Sequence, residues 1–331
     1  MNHRLTVAAL IVMAACGAAC APKAEPGAAS SEGRAAAPAS SPTPAAAPDA
    51  PRITDAELSA RLKAIGVRSG GTFGAVVIHV ETGRVAEAGG ANVLPLYSVF
   101  KLPLAVAVLK DVEEGRLTLE QKVRVEPADA SPGVKANTEL WSKTVERSVR
   151  EMLELSLVRS DNTSSDQMLK LVGGPAAVTG RMRALGLKGI DVRSSVKELL
   201  SQGGAQNTGT AIDLARLLVL LQKGEALGAP QASLLLELLG RAQTGERRLR
   251  AGVPAGTPVA EKTGTGAPGT STNDVGLVTL PDGGHLAVAV LFSGSNLALE
   301  EQEKLIAEVA RAAYEANAAP NAGGAAGAPR R

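Results

Sequence analysis

Two side chains near position 100 pair a nucleophile with a base. Ser98 and Lys101 stand three residues apart in the apolar run "LPLYSVFKLPLAVAVLK". Positions i and i+3 lie on one face of a helix, so the two side chains meet if this run is helical. A lysine withdrawn from water has a lowered pKa, and its neutral amine can take a proton from a hydroxyl. The structural alternative is that Ser98 caps the helix while Lys101 reaches solvent.

The start of this helix can be placed from two residues. Ser98 in the first turn would lie at the positive end of the helix dipole, which favours a developing oxyanion. Pro103 lacks a backbone N–H and is tolerated only near a helix start. The regular helix is therefore predicted to begin near Phe100.

Two further polar clusters lie far along the chain. The stretch "RSDNTSSD" places Ser160-Asp161-Asn162 at the beginning of a helical segment, and "VAEKTGTGAPG" places Lys262-Thr263-Gly264 at the end of a strand-like run. Taken singly, the first is an ordinary N-cap cluster and the second an ordinary strand-to-turn sequence. Together with Ser98 and Lys101, they supply a second hydroxyl, a carboxamide and a second amine.

The surrounding pattern predicts an α/β (α+β) fold. One antiparallel sheet would be flanked by N- and C-terminal helices, with an all-α lobe inserted in the middle of the chain. Gly283-Gly284 marks a hairpin between the last two strands, and a cleft between two lobes is a usual ligand site. The strand-like runs are 73–80, 274–280 and 285–292, and the terminal helices are predicted at 55–65 and 297–316.

Composition limits the classes of function. The 331 residues carry a formal net charge of +2, and only 2% of them are aromatic. Neither an electrostatic nor a stacking surface for nucleic acid is therefore indicated. His3, His79 and His285 are isolated from one another and no cysteine follows Cys20. The sequence predicts no metal site, no cofactor and no disulfide framework.

The ends of the chain resemble export and tether segments. A basic start, an apolar run and small residues at 1–20 are typical of a signal peptide of the lipoprotein type. Cys16 and Cys20 each end a lipobox-like stretch, so one of them is the predicted lipidation site; ordinary cleavage of the signal peptide is the alternative. The remaining chain is predicted to divide into a disordered Ala/Pro linker at 21–52, one folded domain at 53–317 and a disordered tail at 318–331.

In this order, the three polar clusters resemble the Ser-x-x-Lys, Ser-Asp-Asn and Lys-Thr-Gly motifs of class A β-lactamases and penicillin-binding proteins. Their spacing, and the stretches "LVGGPAAVTGRMRALGL" and "GTSTNDVGLV", are similar to those of class A serine β-lactamases. The resemblance covers about residues 55–316 and implies the fold of that family. It also implies the opening of β-lactam antibiotics through an acyl-enzyme.

The resemblance implies roles for individual residues. Ser98 would attack the lactam carbonyl and become acylated, and Lys101 would accept or relay its proton. Ser160 would pass a proton to the leaving lactam nitrogen, and Asn162 would hold the acylamide side chain and touch Lys101. The backbone N–H groups of Ser98 and Thr265 would form the oxyanion hole.

The same resemblance implies a binding site for the substrate carboxylate. Lys262 would supply positive charge, Thr263 and Thr265 would offer hydroxyls, and Gly264 completes the motif. The arginine that often follows Lys-Thr-Gly in the family is absent from "GAPGTSTND". The implied partner is a small β-lactam, with membrane contact only through the lipid anchor. The protein is expected to be a monomer, periplasmic or secreted, and tethered as a lipoprotein.

One part of the family pattern is missing. The family needs a loop glutamate, two residues after an arginine, to activate the deacylating water. Arg193 fits the arginine, but the glutamate position holds Ser195, and the aspartate that closes the loop is replaced by Asn207. Glu198 lies three residues further on and is the candidate base if the loop is shifted in register. Ser195 is no substitute, because a neutral hydroxyl does not accept the proton usefully near pH 7.

Two alternatives to an efficient β-lactamase therefore stay open. The first is a penicillin-binding or D-Ala-D-Ala peptidase-like acyl enzyme on the same fold. The second is a lipoprotein that traps β-lactam or binds cell-wall peptide as a sensor, without efficient deacylation. If Glu198 reaches the acyl carbon, the ester is hydrolysed; if it does not, the ester persists.

Overall fold

The computed structural model describes residues 54–266 and 270–318, all of which belong to one compact unit. The predicted signal peptide, the linker and the tail beyond Ala318 lie outside the described residues, and so do both candidate lipidation sites, Cys16 and Cys20. The boundaries of the folded domain stay a prediction.

The described strands form one large sheet and two short pairs. β1, β2, β7, β8 and β9 make a five-stranded sheet in the order β2-β1-β9-β8-β7, and every neighbouring pair in it is antiparallel. The predicted antiparallel sheet, built from both ends of the chain, is thus confirmed. The strands are β1 (Thr72–His79), β2 (Val85–Ala88), β3 (Val93–Pro95), β4 (Lys122–Val125), β5 (Val145–Ser148), β6 (Thr208–Thr210), β7 (Val259–Thr265), β8 (Thr272–Thr279) and β9 (His285–Ser293).

Helices cover both faces of the sheet. α1 and α10 pack on one face, and α8 packs on the other against β1 and β9. No helix in 54–266 or 270–318 is both long enough and apolar enough to cross a bilayer. The helices are α1 (Ala56–Val67), α2 (Lys101–Glu113), α3 (Lys135–Thr138), α4 (Val149–Val158), α5 (Asn162–Leu171), α6 (Pro175–Ala184), α7 (Val196–Ser201), α8 (Ala211–Gln222), α9 (Ala229–Gly240) and α10 (Leu299–Ala318).

The central strands are apolar on both faces because both faces are covered. Alternate residues of a strand point to opposite sides of the sheet. Val288 and Val290 of β9 join the core beneath α1 and α10, whereas Ala287, Ala289 and Leu291 join the core shared with the helical lobe. This explains why the sequence of β9 shows a continuous apolar run rather than an alternating one.

The helix that carries the first motif lies in the middle of the helical lobe. Every residue of α2 from Lys101 to Leu109 is buried. A 3₁₀ turn at Tyr97–Phe100 precedes it, so Pro103 occupies the third helical position, where no intrahelical hydrogen bond is lost. The predicted start near Phe100 agrees with this arrangement.

Two short strands connect the start of α2 to the end of a long loop. β3 pairs with β6, and the backbone N–H of Leu96 donates to the carbonyl oxygen of Asn207 at 2.8 Å. The residues just before Ser98 are therefore fixed to the residues that end the loop between α6 and α8. This connection sets the distance between Ser98 and that loop.

Candidate active site

Ser98 lies in the 3₁₀ turn before α2 and faces a cleft of about 330 Å³. No side chain within 54–266 or 270–318 forms a hydrogen bond with its hydroxyl. β7 passes so close to the residues before Ser98 that a Cβ atom placed on Gly264 would come within 2.4 Å of the carbonyl oxygen of Leu96. The other residues that line the cleft are Tyr97, Phe100, Asn162, Val196, Leu199, Leu200, Gln206, Asn207, Thr265 and Gly266.

Lys101 is fully buried in the first turn of α2. Its Nζ donates to the carbonyl oxygen of Ser160 at 2.6 Å, to the hydroxyl of Ser160 at 3.2 Å and to Oδ1 of Asn162 at 2.7 Å. The amide nitrogen of Asn162 donates in turn to the carbonyl oxygen of Pro132 at 2.5 Å. The first and second motifs are thus joined through one amine.

Ser160 is the point at which all three motifs meet. Its hydroxyl accepts from Nζ of Lys101 at 3.2 Å and from Nζ of Lys262 at 3.1 Å. Ser160 has a φ of 55°, and Tyr97, next to Ser98, has a φ of 47°. They are the non-glycine residues with positive φ in the part of the chain that the structure describes. The positive φ of Ser160 produces a sharp turn of the backbone that directs its hydroxyl toward the two amines. The next residue, Asp161, caps α5.

The two amines at this hydroxyl differ from ordinary lysines. Burial lowers the pKa of Lys101 to about 7, although Asp161 and Asp166 oppose the shift. Burial also lowers the pKa of Lys262 well below its usual value, and the charge of Lys101 lowers it further. Because its pKa is about 7, Lys101 offers a neutral amine near neutral pH.

A buried carboxyl pair lies near Lys262 on the neighbouring strands. Glu261 and Asp274 are both fully buried, on β7 and β8. Burial, and then the charge of Asp274, raise the pKa of Glu261. The charge on this pair favours the protonated form of Lys262 and partly offsets its burial.

An arginine that the sequence analysis missed reaches the end of β7. Nη2 of Arg248 donates to the hydroxyl of Thr265 at 2.8 Å, and Nη1 donates to the carbonyl oxygens of Gly264 and Asn273 at 3.3 and 2.9 Å. Glu303 of α10 accepts from Nε of Arg248 at 3.2 Å. Arg248, fourteen residues before Lys262, thus brings a guanidinium to the end of β7, although no arginine follows directly after Lys-Thr-Gly in the sequence. The run "GERRLR" was the signal, but three arginines in it could not be told apart.

No metal site is found in the described ranges. No group of three or more His, Cys, Asp or Glu side chains there could hold an ion. His285 instead lies within 2.9 Å of the carboxylate of Glu81. Thr263, the remaining predicted substrate-binding hydroxyl, lies 2.7 Å from the hydroxyl of Thr244.

The family model for the beta-lactamase enzyme family matches residues 57–317. The chain belongs to the beta-lactamase enzyme family. The predicted resemblance to class A serine β-lactamases is thereby confirmed. The extended-spectrum beta-lactamase PER-1 of Pseudomonas aeruginosa is 35% identical over 67% of this chain and 74% of its own length. Beta-lactamase VEB-1 of the same organism is 29% identical over 66% and 76%.

Solved structures of two beta-lactamases and of a PBP-A mutant share the fold. A beta-lactamase from Chitinophaga pinensis has a TM-score of 0.75 at 30% identity, over 78% of this chain and 99% of its own. TLA-1 extended spectrum beta-lactamase has a TM-score of 0.76 at 27% identity, over 80% and 99%. A mutant of PBP-A, solved as an acyl-enzyme complex with penicillin-G, has a TM-score of 0.72 at 26% identity, over 81% and 98%.

In this β-lactamase family member, the candidate base Glu198 has a structural partner. Oε2 of Glu198 accepts from the backbone N–H of Ser195 at 2.7 Å, and the hydroxyl of Ser195 accepts from the N–H of Glu198 at 3.1 Å. These two bonds form a capping box at the start of α7. The hydrogen bond from the Ser195 N–H lowers the pKa of Glu198. Glu198 lines a separate cavity of about 150 Å³ and is not among the residues lining the Ser98 cleft.

The loop is closed by a carboxamide. Oδ1 of Asn207 accepts from the backbone N–H groups of Arg193 and Ser194 at 2.7 and 3.0 Å, and its nitrogen donates to the carbonyl oxygen of Ser194. The side chain of Arg193 pairs instead with Asp191 at 2.7 Å. Asn207 therefore closes the loop through backbone contacts rather than through an ion pair.

A second residue that the sequence analysis missed ties α7 to the helical lobe. Asp166 of α5 accepts from the backbone N–H groups of Val196 and Lys197 at 2.8 and 2.9 Å and from the hydroxyl of Ser131 at 2.6 Å. Burial raises the pKa of Asp166, and these three donors oppose the shift. Asp166 lies one helical turn after Asn162, and that spacing was the available signal.

Proposed function

We propose that this chain is a serine hydrolase that opens β-lactam rings through an acyl-enzyme on Ser98. The observation that carries the proposal is the hydroxyl of Ser160, which lies within hydrogen-bond distance of the buried amines of both Lys101 and Lys262. Acyl transfer needs a nucleophile, a base and a proton relay. Ser98 lines the cleft, and the amine of Lys101, with a pKa of about 7, contacts both the cleft residue Asn162 and the hydroxyl of Ser160.

In the acylation step, the neutral amine of Lys101 takes the proton of Ser98 while Oγ bonds to the lactam carbonyl carbon. The lactam C–N bond breaks, and Ser160 gives its proton to the leaving nitrogen. Lys101 then returns a proton to Ser160 across their 3.2 Å contact. The backbone N–H groups of Ser98 and Thr265 are proposed to hold the oxyanion. Losing one such donor typically costs about 2.7–4 kcal/mol in the barrier.

The substrate carboxylate is proposed to bind at the end of β7. Lys262, Thr263, Thr265 and Arg248 would surround it, and its negative charge favours the protonated form of Lys262. Arg248 is already oriented for this task, because Glu303 and two carbonyl oxygens hold its guanidinium in place. Asn162 would hold the acylamide of the substrate.

Arg248→Lys is expected to raise KM for a cephalosporin about tenfold, with a smaller change in kcat. A lysine cannot reproduce the planar fork of the guanidinium, and a charge-assisted contact to the substrate carboxylate is lost. Steady-state kinetics measure the effect. Arg247→Lys is the matched control, because Arg247 pairs with the same Glu303 at 2.9 Å and its side chain is 63% exposed. Equal changes in KM for both variants would contradict the assignment of Arg248.

The deacylation step is proposed to be slow. Among the described residues, no aspartate or glutamate lines the Ser98 cleft, and the Glu198 carboxylate is held in the capping box of α7. Hydrolysis of the acyl-enzyme would then be slow, because only a weak base would be available to activate the water. This observation favours, as a second candidate function, a protein that traps β-lactams in a long-lived ester.

A time course separates the two functions. The protein is mixed with a chromogenic cephalosporin, the colour is followed, and the intact mass is measured at each stage. Continued colour release beyond one equivalent supports hydrolysis with slow turnover. A single stoichiometric burst with a stable mass adduct supports the trap. Absence of any adduct or colour would sink the proposal of an acyl-enzyme.

Glu198→Gln is expected to leave the rate of adduct decay within about twofold of the native rate. A glutamine can still close the capping box, so the substitution should cost at most about 0.5–1 kcal/mol of stability and no chemistry. Glu151→Gln is the matched control, because Glu151 forms the equivalent capping box with Ser148 at the start of α4. An adduct that stops decaying only in Glu198→Gln would instead identify Glu198 as the base.

The protein is further proposed to act as a monomer outside the cytoplasm. The signal-peptide pattern at 1–20 supports export, and Cys16 or Cys20 would carry the lipid anchor. The Ala/Pro-rich segment 21–52 would then tether the enzyme to the periplasmic face of a membrane.

A further inference from the structure

Two acidic side chains are buried beside Lys262. Glu261 precedes Lys262 on β7, and Asp274 lies on β8 opposite Thr263. Both side chains are fully withdrawn from solvent. In the register of the two strands, Asp274 stands two residues from Gly276, the partner of Glu261. The two carboxyls therefore lie on the same face of the sheet, as diagonal neighbours.

The oxygens of this acid pair, Glu261 and Asp274, have too few donors. Oδ2 of Asp274 accepts from the backbone N–H of Leu249 at 3.2 Å. No donor among the described residues forms a hydrogen bond with Oδ1 of Asp274 or with either carboxyl oxygen of Glu261. Buried oxygens without donors are unfavourable, and two carboxyls at one site do not readily ionise together. A proton on one carboxyl removes the second charge and supplies a donor to the other carboxyl.

The surrounding charges decide which carboxyl keeps the proton. Burial, and then the charge of Asp274, raise the pKa of Glu261. Arg250 opposes this shift only in part, because its side chain is 33% exposed and its charge is screened by solvent. Burial also raises the pKa of Asp274, but the charges of Arg248 and Lys262 lower it. Glu261 therefore holds the proton, and Asp274 carries the negative charge.

Asp274 also anchors the segment that carries Arg248. Its carboxylate accepts from the N–H of Leu249, the residue after Arg248. Nη1 of Arg248 donates to the carbonyl oxygen of Asn273, the residue before Asp274, at 2.9 Å. Two successive residues of the segment are thus held by two successive residues of β8. From this position Nη2 of Arg248 donates to the hydroxyl of Thr265 at 2.8 Å.

We propose that Glu261 and Asp274 share one proton, and that the single negative charge of the pair positions Arg248 and keeps Lys262 charged for the substrate carboxylate. The proposal rests on the proposed function and deepens it. The O–H of Glu261 donates to the carboxylate of Asp274, whose charge attracts both cations. Neither acid lines the Ser98 cleft, so both are positioning residues. The pair increases the preference for a β-lactam with a free carboxylate over the same compound without that charge.

The test compares benzylpenicillin with its methyl ester, which has the same rings and side chain but no carboxylate charge. The second-order rate of adduct formation on Ser98 is measured by intact mass for each compound. The ratio of the acid rate to the ester rate is used, because a general effect of a variant on folding or on the nucleophile cancels in it.

Asp274→Asn is expected to lower the acid-to-ester ratio about tenfold, which is the size of one lost charge-assisted contact. Glu261→Gln should leave the ratio within about twofold, because the amide replaces a neutral carboxyl and still donates to Asp274. Asp111→Asn is the matched control for the loss of a buried acid. Asp111 of α2 pairs with Arg116 and Arg181 and does not line the cleft, so its ratio should also stay within about twofold.

The shared proton is tested separately on the native protein. At about pH 8 its infrared spectrum should contain the carbonyl stretch of a protonated, buried carboxyl. The difference spectrum between the native protein and Glu261→Gln should show that this band is lost in the variant. This measurement needs no substitution of Asp274, so it decides the question of the proton even where Asp274→Asn does not fold.

The outcomes separate the proposal from the function beneath it. A ratio that is unchanged in Asp274→Asn, or that falls equally in Glu261→Gln, would overturn the positioning role of the charge. A native spectrum without the infrared band would overturn the shared proton. No adduct with either compound would refute the acyl-enzyme and the effect on the substrate carboxylate, while the infrared band would still decide the shared proton. A fall confined to Asp274→Asn, with the band present, would support the proposal.

Discussion

Ser98→Ala is expected to remove both the covalent adduct and the hydrolysis of β-lactams. Without the hydroxyl no Oγ–carbon bond can form, and Lys101 and Ser160 have no acylation reaction in which to transfer protons. In serine hydrolases the loss of the nucleophile lowers kcat by roughly a millionfold. Intact mass after incubation with benzylpenicillin, together with hydrolysis of a chromogenic cephalosporin, measures the loss.

A matched serine variant guards this result. Ser142→Ala removes an exposed hydroxyl that donates to the carbonyl oxygen of Glu139, so acylation should stay unchanged. Thermal unfolding of Ser98→Ala should match that of the native protein, because the Ser98 hydroxyl forms no hydrogen bond with the described residues. An adduct that persists in Ser98→Ala, mapped to another hydroxyl, would refute the assignment of the nucleophile.

The second large effect is expected in the pH dependence of acylation. Only the neutral amine of Lys101 can accept the proton of Ser98, and burial lowers the pKa of Lys101 to about 7. The neutral fraction rises with pH, so the rate should increase about tenfold per unit below 7 and level off above it. Between pH 5 and pH 8 the rate should rise on the order of a hundredfold. Stopped-flow measurement of adduct formation across this range gives the profile.

The profile belongs to a group of charges rather than to one residue. Asp161 and Asp166 favour the ammonium form of Lys101, and the charge of Lys101 in turn lowers the pKa of Lys262. The apparent pKa therefore describes the pair of amines. Lys101→Arg should lose acylation at every pH, since a guanidinium does not deprotonate in proteins. Lys170→Arg, an exposed lysine paired with Asp129, should keep the native profile. A rate that stays constant from pH 5 to pH 8 would contradict the role of Lys101.

Much of the fold followed from local patterns. The apolar runs of β1, β8 and β9 predicted the centre of the sheet, and the Gly283-Gly284 pair predicted the hairpin, where Gly283 has a φ of 85°. The three-residue pairing of β3 with β6 was not predicted. Such strands are too short for a periodic signal, and they exist because the chain on either side brings them together.

The candidate site was predicted unevenly, for a physical reason. Motifs such as Lys262-Thr263-Gly264 are compact in sequence and can be recognised as they stand. The guanidinium of Arg248 reaches Thr265 only through the packing of a loop against α10, and nothing local to its sequence specifies that reach. Residues that reach the site from distant elements cannot be predicted from the pattern of a single segment.

The loop around Glu198 contains a signal that the sequence analysis did not use. Ser195-Val196-Lys197-Glu198 has the Ser-x-x-Glu spacing of a capping box, which forms at the start of α7. The resemblance to the family directed attention to the chemistry a glutamate could perform. Its spacing from Ser195 indicated the structural role that the side chain has in this chain.

The left-handed backbone at Tyr97 and Ser160 places a burden on the rest of the molecule. Torsions of this kind cost about 1–3 kcal/mol at each residue. The packing of the buried helix α2 must offset this cost. Glycine at either position would remove the backbone strain, but the reacting groups would then be held less rigidly. A laboratory selection for heat tolerance alone would therefore favour substitutions at Tyr97 and Ser160, and the same substitutions would reduce the hydrolysis of antibiotics by the protein.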